Sequence, residues 1–111
     1  MTGAVFTMQL EDTSDGAPNV ATVSGEIDVT NTEDFTQSIK ALAGARPLIV
    51  DLSSLRYLDS AGFAALDRLL IECNVAIVIA PGSLVHRAAV VMELPFHHDT
   101  DSALQAEASE G

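Results

Sequence analysis

The chain has 111 residues, enough for one hydrophobic core and too few for two domains with a linker, so a single domain spanning residues 1–111 is expected. Sixteen acidic against five basic residues leave a formal net charge of -11, and Lys40, Arg46, Arg56, Arg68 and Arg87 form no basic stripe, which argues against nucleic-acid and anionic-membrane partners and favours a partner with a positive face. One cysteine, Cys73, excludes an internal disulfide, and with no signal-like start and no apolar run of about 18 residues the expected location is the cytoplasm.

Residues 3–9 and 19–27 alternate in polarity on either side of Asp15-Gly16-Ala17-Pro18, the pattern of a β-hairpin. Thr30-Asn31-Thr32-Glu33 matches a capping box, and Phe35, Ile39 and Leu42 follow at helical spacing up to Gly44, so a first amphipathic helix is predicted there, stopping before Pro47. Residues 48–52 (LIVDL) form a short apolar run of the kind that makes a buried strand. Asp51 within it needs hydrogen-bond partners and is assigned a structural role, supporting the loop that follows.

From Ser60 to Cys73 the residues Phe63, Leu66, Leu70 and Cys73 fall on one helical face, giving a second helix opened by Asp-Ser with Ser60 as its expected cap. Residues 75–80 (VAIVIA) have the composition of a central parallel strand, ended by Pro81-Gly82. A third helix is predicted from Ser83, with Leu84, Ala88 and Val91 on its apolar face and its end near Leu94-Pro95. Phe96-His97-His98 fits a brief edge strand, and Asp101 to Ser109 a weakly amphipathic last helix. Strands and helices alternating in this way imply βαβ units with right-handed crossovers: an α/β fold with a mixed sheet of four to five strands, an N-terminal hairpin followed by parallel strands, and about four helices.

In an open α/β sheet, sites form beyond the carboxyl ends of the strands, which selects the loops Glu26 to Thr30, Asp59 to Gly62 and Pro81 to Ser83. Asp59-Ser60-Ala61-Gly62 places a hydroxyl at a helix start beside a small residue and a glycine, with free backbone N–H groups nearby. The run from Asp51 to Phe63 (DLSSLRYLDSAGF) resembles the signature of the STAS domain of anti-sigma factor antagonists. There, a strand ending in Asp-Leu-Ser leads through an apolar link to Asp-Ser-small-Gly at a helix start. Gly25-Glu26-Ile27-Asp28 resembles a second family motif, and Ala80-Pro81-Gly82, Val85-His86-Arg87-Ala88 and Asp101-Ser102-Ala103-Leu104 are similar to its closing strand-helix-strand-helix. In this chain, Leu94-Pro95-Phe96 stands where the family has a glycine-containing turn.

The resemblance implies a regulator, not an enzyme, that binds an anti-sigma factor with serine kinase activity and is switched off by phosphorylation, so controlling sigma-factor-dependent transcription. It implies Ser60 as phosphoacceptor, and Glu26, Asp28, Val29, Thr30, Asp59, Ala61, Gly62 and Phe63 as the partner-facing set. The expected oligomeric state is monomer or weak dimer, with no cofactor and no metal. A STAS-type adaptor that assembles a transport-linked or signalling complex without phosphorylation is the alternative.

Other chemistries fit the residues less well. A receiver domain with Asp51 as phosphoacceptor needs a lysine near its last strand, whereas Lys40, the one lysine, lies in the first helix. A serine hydrolase needs a Gly-x-Ser-x-Gly elbow that Asp59-Ser60-Ala61-Gly62 lacks. His86, His97 and His98 offer bases, but adjacent His97 and His98 on a strand point to opposite faces, so they are expected as surface or edge histidines. No phosphate-cradling glycine motif suggests a nucleotide cofactor.

Overall fold

The computed structural model describes residues 3–12, 18–44 and 47–110. Strands β1 (Phe6–Glu11) and β2 (Asn19–Ile27) pair antiparallel as the predicted hairpin. The predicted turn at Asp15 to Ala17 lies outside the described residues. Helix α1 (Thr32–Leu42) then crosses to β3 (Leu48–Leu58), and helix α2 (Ser60–Glu72) to β4 (Val75–Val78), both in parallel register, giving the sheet order β1-β2-β3-β4. Helices α3 (His86–Val91) and α4 (Thr100–Glu110) complete the chain. The expected edge strand at Phe96 to His98 contracts to one bridge, with the His97 N–H donating to the Ile77 carbonyl at 2.8 Å and the Ile79 N–H to that of His97 at 2.9 Å.

The two faces of the sheet are covered unequally. Ala21, Val23, Ile27, Val50, Leu52, Leu55 and Leu58 point to one side and bury Phe35 and Ile39 of α1, Phe63, Leu66 and Leu69 of α2, and Val85 and Ala89 around α3. On the other side, Val20, Ile49, Ala76 and Val78 pack on Ala103 and Leu104 of α4, and among the described residues no helix lies over the β1 side of that face. Asp99 caps α4 by accepting the Ser102 N–H at 2.7 Å.

Hydrogen bonds from the Ser102 backbone and side chain, aided by nearby His98 and His97, hold the Asp99 carboxyl below its ordinary range. A lowered carboxyl stabilises the folded form above the unfolded aspartate value, near 3.9, and that contribution is lost as pH falls through the lowered one. Protection of the Ser102 and Ala103 amides against hydrogen exchange is therefore expected to drop selectively below about pH 4, with the central strands unaffected.

Three local predictions change. Strand β3 runs six residues past Leu52, because the Asp51 carboxylate accepts the Ser53 N–H at 3.0 Å and the Ser53 hydroxyl accepts the Ala80 N–H at 2.8 Å, stabilising a bulge instead of an end. The structural role assigned to Asp51 is thus seen directly. The capping box at Thr30 does not form: α1 starts after Asn31, and the Thr30 hydroxyl bonds the Asp28 carboxylate.

Helix α3 is shorter than predicted and turned the other way. Val85, Ala89 and Leu94 are buried, while Leu84 and Val91 of the predicted apolar face are 74% and 72% exposed. Finally, Glu93 takes φ 58 just before Leu94-Pro95, the left-handed conformation for which a glycine would ordinarily be chosen.

Candidate functional site

The parallel strands β2, β3 and β4 place their carboxyl ends at the same end of the sheet, and the loops after β2 and β3 meet there. Asp59 joins them. Its backbone is extended, φ -91 and ψ -177, so it, not Ser60, is the N-cap of α2, accepting the Gly62 N–H at 3.0 Å on one carboxylate oxygen. Its other oxygen accepts the Val29 N–H at 3.2 Å, and its own N–H donates to the Ile27 carbonyl at 3.3 Å.

This corrects the expected cap. With Asp59 doing the capping, Ser60 occupies the first helical position, exposed, its hydroxyl outside the capping bonds. Asp59→Ala removes both carboxylate bonds at once and is expected to cost about 1–2 kcal/mol in urea unfolding, with Asp59→Asn recovering most of it through the retained capping oxygen.

The loop after β2 is built around Asn31, a buried polar side chain only 8% exposed. Its Oδ1 accepts the Asp28 N–H at 2.9 Å, and its Nδ2 donates to the carbonyls of Ala4 and Glu26, both at 3.0 Å. The Asp28 carboxylate is turned inward on its own loop, accepting the Thr30 N–H at 2.8 Å. Val29 is thereby held at the tip, 72% exposed, next to the Asp59 it hydrogen-bonds.

Sequence reading passed over Asn31 as a filler in a capping pattern. The signal available was that asparagine is itself a preferred cap residue, but its three bonds are tertiary and invisible in one dimension. Asn31→Ala leaves one N–H and two carbonyls short of partners in a buried setting and is expected to destabilise by about 2 kcal/mol in denaturant unfolding.

Ser60, the expected phosphoacceptor, is exposed; of the expected partner-facing residues, Val29 and Thr30 are exposed, and Glu26, Asp28, Asp59 and Ala61 half-buried. Gly62 and Phe63 do not belong to the surface. Phe63 is 3% exposed in the core, and Gly62 lies against Leu58 and Ile27, where a Cβ would overlap the Leu58 side chain. Both act from beneath, by letting α2 sit close to the sheet so that Ser60 emerges at its edge. A groove of ≈ 460 Å³ continues from Ala61 between α1 and α2, floored by Ala64 and Ala65 and bordered by Thr32, Glu33 and Arg68.

Among the described residues, no group of three or more His, Cys, Asp or Glu side chains is arranged to hold a metal ion, and no helix is long and apolar enough to cross a membrane. The histidines are not all simple surface groups. The His86 ring packs edge-on against Phe96 with centroids 5.3 Å apart and lies 5.9 Å from that of His98.

Comparison with known proteins places this geometry. The family model described as "STAS domain" matches residues 11–94. A crystal structure of an anti-sigma factor antagonist from Mycobacterium paratuberculosis superposes with a TM-score of 0.72 at 27% identity, covering 92% of this chain and 93% of that one. The anti-sigma factor antagonist SpoIIAA in its unphosphorylated form shares the fold, with a TM-score of 0.61 at 17% identity over 93% of this chain and 97% of its own. Osmosensory protein A of Mycobacterium tuberculosis is 36% identical over 76 residues, 68% of this chain, which spans about half (47%) of that relative's length. With the family model covering most of the chain, the sheet in the expected mixed order and the two motif loops joined through Asp59, this chain belongs to the STAS domain family.

Proposed function

We propose that this protein is an anti-sigma factor antagonist acting in the cytoplasm: unphosphorylated, it docks on an anti-sigma factor that is also a serine kinase, and phosphorylation of Ser60 ends the docking. The observation that carries the proposal is the position of Ser60, exposed at the first turn of α2 with the capping work done by Asp59. A kinase can reach a hydroxyl so placed, and a phosphate there meets a helix N-terminus, where an anion is favourable by about 0.3–1 kcal/mol, so the free protein accommodates it. The docking surface proposed is Val29, Thr30, Ser60 and Ala61, with Glu26, Asp28 and Asp59 as its acidic background and the groove between α1 and α2 beside it.

The likeness to the mycobacterial anti-sigma factor antagonist supports this reading over that of an unphosphorylated adaptor. Pull-down from native lysate with unphosphorylated chain as bait separates the two. Recovery of an ATP-binding serine kinase is expected, whereas recovery of membrane transport components without a kinase would favour the adaptor.

A further inference from the structure

The half of the sheet that α4 leaves uncovered carries a row of hydroxyls. Thr7 lies opposite Ser24 across β1 and β2, and Ser24 opposite Ser54 across β2 and β3. Arg56 falls at a register shift, between the Leu55 and Tyr57 that pair with Gly25 and Glu26, and lines the same groove as these hydroxyls. Together with Val5 and Gly25 these residues line an open groove of ≈ 430 Å³.

The charge distribution in this groove is unusual for the chain. Despite the net charge of -11, no acidic residue lines it among the described residues, and the one salt bridge among them joins Lys40 to Glu72 at 3.0 Å, elsewhere on the surface. Arg56 is exposed and shares this groove with neutral hydroxyls. The Thr7 and Ser24 hydroxyls are 2.6 Å apart, so one donates to the other and the acceptor's own proton stays free for a further bond. A guanidinium with several hydroxyl donors around it matches an oxyanion with several acceptor oxygens, and the planar fork of arginine suits phosphate in particular. Val5, 65% exposed, adds an apolar wall.

We propose that this groove binds a small phosphate monoester, its phosphoryl oxygens on Arg56 and the hydroxyls of Thr7, Ser24 and Ser54, its organic part against Val5. At ≈ 430 Å³ the groove is within the range of small-molecule sites, roughly 300–1,000 Å³. The site is on the face of the sheet away from α1 and α2 and does not depend on the role given to Ser60.

The test is a titration of the ¹⁵N-labelled full chain with inorganic phosphate and, separately, with phenyl phosphate, repeated on Arg56→Ala and Arg56→Lys. Arg56 is exposed, and an unchanged amide spectrum away from the groove confirms that the variants fold. Saturable shifts are expected at the amides of Thr7, Ser24, Ser54 and Arg56, at least about tenfold weaker binding in Arg56→Ala, and only partial recovery in Arg56→Lys, which keeps the charge without the fork. Tighter binding of phenyl phosphate than of inorganic phosphate supports the ester, and equal binding supports the oxyanion site with free phosphate as its ligand. Shifts that do not saturate, or that centre on residues 60–62 and persist in Arg56→Ala, would overturn the proposal while leaving the Ser60 switch untouched.

Discussion

Ser60→Glu is expected to weaken binding to the proposed anti-sigma factor partner by at least about 100-fold, while Ser60→Ala binds within a few-fold of the unmodified chain. The reasoning is electrostatic. Ser60 emerges next to the Asp59 carboxylate and, across the Asp59–Val29 hydrogen bond, close to the loop that holds Asp28. In the free protein a carboxylate at the first helical position is solvated and sits favourably on the helix dipole, so unfolding stability should change by less than about 1 kcal/mol. Under a docked partner the same charge is stripped of water beside the Asp59 carboxylate, and with no cation of an interface built for a neutral hydroxyl placed to meet it, an uncompensated buried charge costs about 3–5 kcal/mol. Loss of binding with preserved thermal stability, measured by calorimetric titration and thermal unfolding on the same sample, distinguishes this from a folding defect. Equal binding by the two variants would remove Ser60 from the interface.

The largest expected loss of stability comes from Gly25→Ala, at about 3 kcal/mol or more. Gly25 has φ 101, a backbone conformation that costs a residue with a side chain about 1–3 kcal/mol. An added Cβ would also overlap the Val5 carbonyl oxygen and stand 3.0 Å from the Phe6 Cα, and both are backbone, unable to rotate aside. Moving them would break the bond that the Glu26 N–H donates to that Val5 carbonyl at 2.9 Å and shift β1 off β2. Such overpacking adds about 1–3 kcal/mol. For a domain of this size the midpoint of thermal unfolding should drop by more than about 12 °C. Gly44→Ala is the control: an added Cβ there meets nothing within 4 Å, and little change is expected. A Gly25→Ala protein with an unchanged midpoint would show that the β1–β2 edge tolerates a side chain at this position.

Much of the architecture was legible because period and punctuation agreed. The hairpin strands and the helices from residues 32 and 60 each show one clear periodicity, and the buried VAIV strand is a short apolar run closed by Pro81-Gly82. Where two readings share one pattern, the sequence underdetermines the result. Asp59 and Ser60 are both good cap residues and adjacent, and only the extended backbone of Asp59 decides between them. Around α3, Leu84-Val85 and Ala88-Ala89 offer two apolar stripes offset by one residue, and tertiary packing, not spacing, buries the second. The later half of β3 was hidden because Ser53 and Ser54 interrupt its alternation, and the bulge that accommodates them rests on the Ser53 N–H donating to the Asp51 carboxylate and the Ala80 N–H donating to the Ser53 hydroxyl. The candidate site was legible as a motif, since Asp-Ser-Ala-Gly and Gly-Glu-Ile-Asp are local strings. Its assembly was not, because the Asp59–Val29 and Asn31 bonds link residues that only the fold brings together.

The most direct measurement is mapping of phosphate on the full chain after incubation with ATP and the serine kinase recovered by the pull-down proposed above. Peptide mass spectrometry should find one phosphate, on Ser60, in the fragment that begins after Arg56, and none in the Ser60→Ala chain. Phosphate appearing on another hydroxyl, or incorporated undiminished when position 60 is alanine, would contradict the switch.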